Sequence, residues 1–415
     1  MIVAACAVAN MLAWSVRSTF ALFYVALLEH FGWPRGLAAV GYSLSWLLVL
    51  IFGPLAGRLH DRLGAHVVMP FAGIVLGVAL ALTGRVETLQ GYYLAFGVLG
   101  AAGIAGIMMP AAAVVSGQVP RARGAALGVI SAGASLSASI FYPINAWLIA
   151  AMGWRDAIGV YGAVIATGVV AMSGLVRVLS RRHAPDAEHA PDGEPRAGRD
   201  GSGPRRAGEV RVRVDEVTLG RALGSRAFWA VFVMWGLGVI GYQIMATHQV
   251  AHAHGEGIPP STVAWILGLS GIFTAAGNIV GGLLSDRWGR GWVFGIGSVI
   301  GITGIALFAT LDGPADVGRL FAYSVAGVGF GMRIALLTAI PADLFHGRHF
   351  GVILGLASGG GGLGGFIGPF LGGWLYDVTG GYGVAFAVAA AAIAGSAVAA
   401  WIAAARRPRT STREP

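Results

Sequence analysis

Apolar stretches of 19 to 28 residues recur from one end of this 415-residue chain to the other. Each can cross the roughly 30 Å hydrocarbon core of a bilayer as a helix rising about 1.5 Å per residue. The runs, α1 to α12, fall at about 2–28, 37–57, 66–84, 91–115, 124–151, 157–179, 227–250, 261–284, 292–311, 317–342, 349–375 and 382–405. Strands of a membrane barrel would alternate in polarity over about ten residues, so these spans are read as helices. Only 11% of residues are charged, against about 25% in a soluble protein of ordinary composition. The expected fold is an all-α membrane protein with twelve transmembrane helices in two six-helix bundles.

One long polar interruption, 180–226, divides the runs six and six. It is rich in Arg, Gly, Pro, Asp and Glu and nearly free of aromatics, so it cannot bury enough apolar surface to order itself. It reads as a largely disordered linker between bundles at 1–179 and 227–405, ending in a short amphipathic piece near 219–228; 406–415 is a polar tail. All 28 basic residues are arginine. The connections after α2, α4, α6, α8 and α10 and the C-terminal tail hold 22 of them, whereas the alternate connections hold Arg35, Arg85, Arg155 and Arg319. By the positive-inside rule the first set, both termini and the linker face the cytoplasm, across a cell inner membrane. Topology accounts for the net charge of +9 better than nucleic-acid binding does. The first run is too long for a signal peptide and is read as retained. A single cysteine, Cys6, leaves no disulfide framework or thiolate metal site.

The two halves repeat. GRLHDRLG at 57–64 answers GLLSDRWG at 282–289, and Gly124, Gly128, Trp147 and Gly153 answer Gly351, Gly355, Trp374 and Gly380. Six helices repeated in parallel orientation describe two bundles related by an axis along the membrane normal. With its paired G-x-x-x-D-R-x-G motifs (Gly57, Asp61, Arg62, Gly64; Gly282, Asp286, Arg287, Gly289), the chain resembles the major facilitator superfamily. That resemblance implies alternating access, with the two motif loops latching the outward-facing state and α1, α4, α7 and α10 lining a central cavity. Asp343 is a further acidic residue expected on the same face. LLEHFGWPRG at 27–36 and PADLFHGRHFGVILGLASGGGGLG at 341–364 are similar to the monocarboxylate porter and oxalate/formate antiporter branch. That branch often carries an α8 arginine before its D-R-x-G motif and, in the antiporters, an α11 lysine. Here Asn278 takes the first position and the chain has no lysine.

Two arginines stand inside apolar runs, Arg17 in α1 and Arg333 in α10. A guanidinium near the bilayer centre costs between about 3 and 15 kcal/mol, depending on how water and neighbours relieve it. No Asp or Glu is spaced to pair with either. An arginine fork binds a carboxylate through two parallel hydrogen bonds, which suits a small organic acid. Under the 225-residue offset, Arg17 answers Tyr242 and Arg333 answers Met108. Bracing of a broken helix through backbone carbonyls is the plainer alternative for either arginine. Tyr24, Gln243, His248, Asn278, Tyr142 and Asn145, with Asn10 and Tyr323, could bond substrate oxygens or simply join helices. Trp14, Phe20, Trp46 and Phe330 are expected to shape the rest of the cavity.

His248, His252 and His254 lack a spacing that completes a metal site; His248 could carry a proton. The glycines of SGGGGLGGFIGPFLGG, 358–373, lie in α11 without the strand a dinucleotide site requires, so they serve close packing or bending. Pro143 and Pro369 mark matching kinks. No cofactor, metal or enzymatic chemistry is expected. The chain is read as a monomeric secondary transporter of a small organic anion, with a proton or exchanged anion as coupling partner. A multidrug exporter would carry a buried carboxylate, and a non-transporting sensor would add a structured domain.

Overall fold

A computed structural model describes residues 1–118, 123–182, 218–345, 347 and 349–405. Most of the expected linker, 183–217, and the tail, 406–415, lie outside the described residues. The spans are α1 (Ile2–Phe31), α2 (Arg35–Leu63), α3 (Ala65–Thr83) and α4 (Leu89–Tyr92, Tyr93–Leu99 and Gly100–Gln118 in succession). Then come α5 and α6, the two arms of Arg123–Arg182, which part at Gly153. The second half holds α7 (Arg226–Gly255), α8 (Pro260–Trp288), α9 (Arg290–Ala309), α10 (Val317–Leu344), α11 (Phe350–Thr379) and α12 (Gly383–Ala404). The described residues thus form twelve membrane-length helices, with Arg123–Arg182 counted as two. Several outrun their apolar stretches because polar residues beyond the bilayer core continue the same hydrogen-bonded spiral; α2 runs through the D-R motif to Leu63. The amphipathic piece expected at 219–228 divides instead. Leu219–Leu223 forms a short helix, and the Ser225 hydroxyl accepts from the Phe228 amide at 3.1 Å to begin α7.

Three corners turn on one glycine each. Gly64, Gly153 and Gly289 have φ of 78°, 79° and 89° with ψ of 160°, 159° and 148°. That region is essentially closed to residues with a Cβ, and forcing one into it costs of order 1–3 kcal/mol. This gives the last glycine of both repeated motifs a backbone reason. Gly289→Ala is expected to lower the thermal unfolding midpoint of the purified protein by several degrees, and Gly64→Ala likewise; an unchanged midpoint would show that the corner relaxes without strain.

The halves meet through α2 against α11, α5 against α8 and the second part of α1 against α7. Along α2 the contacts run from Arg35 and Gly36, beside Gly373 and Trp374, to Leu50, beside Gly362. On the α5–α8 seam, Tyr142 and Pro143 face Gly268, and Ser135 and Ser139 face Gly271. Both sets lie toward the arginine-poor end. Among the described residues, no hydrogen bond or ion pair joins the halves at the arginine-rich end. Among the described residues, the polar contacts between the halves therefore all lie toward the arginine-poor end.

Helix α11 makes this closure possible with two glycine faces. Gly360, Gly364, Gly368 and Gly372 lie against α7 of their own half, on Phe232, Gly236, Ile240 and His248. Gly362, Gly365 and Gly373 receive Leu50, Trp46 and the Arg35–Gly36 backbone of α2. The absence of side chains lets one helix approach two partners closely, as small residues do throughout membrane bundles.

Candidate substrate site

Helix α1 breaks at Thr19, with φ −101° and ψ 3°, two residues after Arg17. The Thr19 hydroxyl donates to the Ser15 carbonyl at 2.8 Å, and Asn145 donates to that hydroxyl at 2.9 Å, fixing the break against α5. Arg17 is 6% exposed. Its guanidinium lies 3.9 Å from the centroid of Trp46 and 5.6 Å from that of Trp14, and Nη2 donates to the Ser45 carbonyl at 3.2 Å. Its buried Nε has no hydrogen-bond partner. Among the described residues no Asp or Glu is buried. One charge-assisted hydrogen bond and a desolvated cation–π contact supply about 4 kcal/mol. That meets only the lower end of the cost of a guanidinium at mid-membrane depth, about 3 to 15 kcal/mol.

Helix α10 also breaks, at Ala326 between Val317–Val325 and Gly327–Leu344. Arg333 follows seven residues later and is 5% exposed. It points into its own half: Nη2 donates to the Ser396 hydroxyl at 3.1 Å, that hydroxyl donates to the Met234 carbonyl at 2.7 Å, and the Phe294 ring lies 5.0 Å away. Gly238 and Gly297 leave the room; a Cβ at Gly238 would come within 2.9 Å of Nη2. Arg17 and Arg333 share none of these hydrogen-bond or ring partners.

The other candidates divide by how their polar atoms are spent. Tyr24 donates to the Arg35 carbonyl at 2.8 Å. His248 meets the Pro369 carbonyl at 2.9 Å through Nε2 and the Tyr382 hydroxyl at 3.3 Å through Nδ1. Tyr142 accepts from Gln249 at 3.0 Å, and the other end of that amide accepts from Tyr323 at 2.8 Å, tying α5, α7 and α10 together. Asn10 reaches the Ile130 carbonyl at 3.4 Å. Gln243 is fully buried with neither amide atom partnered, and Asn145 keeps a free Oδ1. Tyr242 is 43% exposed, its ring 5.8 Å from that of Phe330. Asn278 is half-buried on α8 and offers no cation. Phe20 stacks on Tyr42 at 4.3 Å inside the first half.

At the arginine-rich end the two D-R-x-G copies differ. Asp286 pairs with Arg290 at 2.7 Å, and Arg290 also reaches Asp343 at 3.2 Å and the Ser285 hydroxyl. A cavity of about 430 Å³ opens beside this cluster, lined also by Trp292 and Trp401, away from the buried arginines. In the first half Ala65 stands where Arg290 would fall under the 225 offset, and Asp61 and Arg62 are exposed, Asp61 without an ion pair among the described residues. Nothing lies within 4 Å of a Cβ placed on Gly57 or Gly282. Arg290, Gln249, Asp377 and Tyr382 were not singled out in the sequence; apart from the local Asp286–Arg290 and Ser285–Arg290 contacts, their partners lie far along the chain.

Two six-helix halves, closed on each other at one end and holding buried charge at mid-depth, define a multi-pass membrane carrier of small molecules. The chain belongs to the Major Facilitator Superfamily, whose family profile matches residues 3–256 and 244–415. It is 25% identical over 396 residues to monocarboxylate transporter 13 of Bos taurus, covering 93% of this chain and 85% of that one. To monocarboxylate transporter 11 of Mus musculus it is 26% identical over 410 residues, covering 93% and 83%. In fold it is similar to a bacterial homologue of the human lysosomal transporter Spinster, solved inward-facing. The unoccupied form gives a TM-score of 0.70 at 15% identity, over 97% of this chain and 95% of that one; the occupied form gives 0.72, also at 15%, over 98% and 97%.

Proposed function

We propose that this transporter moves a small organic anion, a monocarboxylate, by alternating access, with Arg17 as the first contact for its charged group. The observation that carries the reading is the buried Arg17 guanidinium, stacked on Trp46, with Nε unpartnered and no buried carboxylate among the described residues. A cationic substrate would instead need a buried acid. Relatives named as monocarboxylate transporters support this choice of substrate class. Gln243 and Tyr242 are the next candidates, since their polar ends remain available. Arg333 is the alternative contact: its buried Nε is likewise unpartnered, while its Nη2 is held by Ser396.

The same reading takes 1–179 and 227–405 as the moving bundles and the arginine-rich end as cytoplasmic, in a cell inner membrane, with both termini on that side. The paired motifs, with Asp343 and Arg290, then act where the halves would close on the opposite stroke. Gly57 and Gly282, empty-faced here, leave room for that closure. Among the described residues no buried carboxylate is available to couple transport to a proton or to a counter-transported anion.

Proteoliposomes containing the full chain, challenged with lactate, pyruvate, formate or a neutral sugar, test the proposal. Saturable uptake of a monocarboxylate is expected. Sugar flux with no carboxylate flux would overturn the substrate class. A protonophore then separates proton symport, which it collapses, from exchange, which it leaves intact.

A further inference from the structure

Helix α2 starts directly after Pro34, and no side chain from its own loop caps it. The first amides of a helix carry partial positive charge and need acceptors. Here they find them in the other half of the molecule. Asp377, in the last turn of α11, takes the Arg35 amide on Oδ1 at 2.9 Å and the Gly36 amide on Oδ2 at 2.8 Å. Gly373, one turn earlier, lets the two backbones approach this closely.

The contact also orders a wider cluster. The Arg35 guanidinium lies 3.6 Å from the Tyr376 ring centroid and donates to the Tyr382 hydroxyl. Tyr24 holds the Arg35 carbonyl from α1. Pro369 offers only a carbonyl to His248, so Nε2 bears the imidazole proton and Nδ1 accepts from Tyr382. The donors thus run in one direction, from Arg35 through Tyr382 and His248 to the Pro369 carbonyl of α11. One residue on, the Phe370 amide donates to Ser43 of α2 at 3.2 Å. A separate pair, His254 with Glu29 at 2.9 Å, joins α7 to α1 at the same end.

We propose that Asp377 is the positioning residue that holds the arginine-poor end shut: it caps α2 across the two halves and releases those amides each time that end opens. Both of its oxygens are engaged, each in a charge-assisted bond at a helix N-terminus. The bias is nevertheless reversible. When the halves separate, water reaches the exposed cap and takes over the two amides, so only the difference between carboxylate and water favours closure. Replacing an N-cap acceptor shifts an equilibrium by roughly 2- to 30-fold. A gate of that strength favours one state without locking it. Arg35 adds to closure through its stacking on Tyr376, but the amides it orients would still be capped without its guanidinium.

The test uses the full chain in lipid nanodiscs with Cys6 replaced by alanine and no substrate added, so it stands apart from the identity of the cargo. Spin labels at positions 90 and 315 report the arginine-poor end, and labels at 63 and 352 the arginine-rich end, by pulsed electron–electron distance measurement. In Asp377→Ala the open-to-closed ratio at the first pair is expected to rise about tenfold, with shorter distances at the second. Asp377→Asn, which keeps one acceptor oxygen, should fall between, and Arg35→Ala should shift less than Asp377→Ala. A lowered thermal midpoint with both distance distributions unchanged would mean that Asp377 merely supports the fold, and would overturn the proposal. If the alanine variant does not fold, the near-isosteric Asp377→Asn decides: no shift there overturns it equally.

Discussion

Arg17→Gln is expected to reduce saturable monocarboxylate uptake by about 100-fold at low substrate concentration, with the protein still folded. The estimate follows from losing two charge-assisted hydrogen bonds to a carboxylate, each worth about 1.5–3 kcal/mol, with the lower end applying if water partly replaces them. The remaining contacts of Arg17 are few: the Ser45 carbonyl, the Trp46 face and Trp14. Glutamine fills similar space and can still reach Ser45, so the fold loses little. Arg17→Lys keeps the charge but not the planar fork, and an intermediate loss of about tenfold is expected. Arg333→Gln is the informative companion. Its guanidinium bridges α10 to α12 through Ser396, so a fall in thermal midpoint with modest change in flux marks a brace. Full flux in Arg17→Gln and lost flux in a stable Arg333→Gln would transfer the anion contact to α10.

A second large effect is expected from Gly373→Leu. A Cβ at that position meets the Arg35 carbonyl carbon and oxygen and the Gly36 amide at 2.6 Å, all backbone atoms that cannot swing aside. The clash lies wholly between the halves. The face of α11 that packs on α7, through Gly364, Gly368 and Gly372, is untouched. Leucine should therefore leave the purified protein folded but unable to close its arginine-poor end, and transport should fall by more than tenfold. Thiol labelling of a cysteine placed at Ser43, whose side chain is buried against α11 here, gives the readout: rapid modification is expected in Gly373→Leu and slow modification without it. Equal protection in the two would show that α2 and α11 separate elsewhere.

How much of this could be read from residues alone depends on the range of the contact. The spans were legible because each is a local apolar run, and the halves because the D-R-x-G copies sit 225 residues apart. The α11 glycines were legible as packing surface, though not as two surfaces with different partners. Arg17 and Arg333 stood out by cost, since both are charges in apolar surroundings, but the sequence treats them alike. Their difference arises from tertiary neighbours: Trp46 and Ser45 in one half, Ser396, Phe294 and the notch at Gly238 in the other. Tyr24, His248 and Tyr142 looked available because a sequence does not show which hydroxyl or ring nitrogen is already spent. Asp377 was passed over for the same reason in reverse. It lies in the last turn of a helix, where a carboxylate opposes that helix's own dipole, and its value comes from the start of a helix 342 residues away.

The single-residue corners at Gly64, Gly153 and Gly289 bear on how far the molecule can move. Neighbouring spans joined by one residue cannot slide past each other, so each such pair behaves as a stiff lever. Helix α2 has 29 residues, about 44 Å at 1.5 Å per residue. Tilting it by about 15° about its capped end displaces the far end by roughly 11 Å, enough to admit or expel a small molecule. Small adjustments around Arg35 would thus be amplified mechanically at Gly57 and Asp61, without any helix having to unwind.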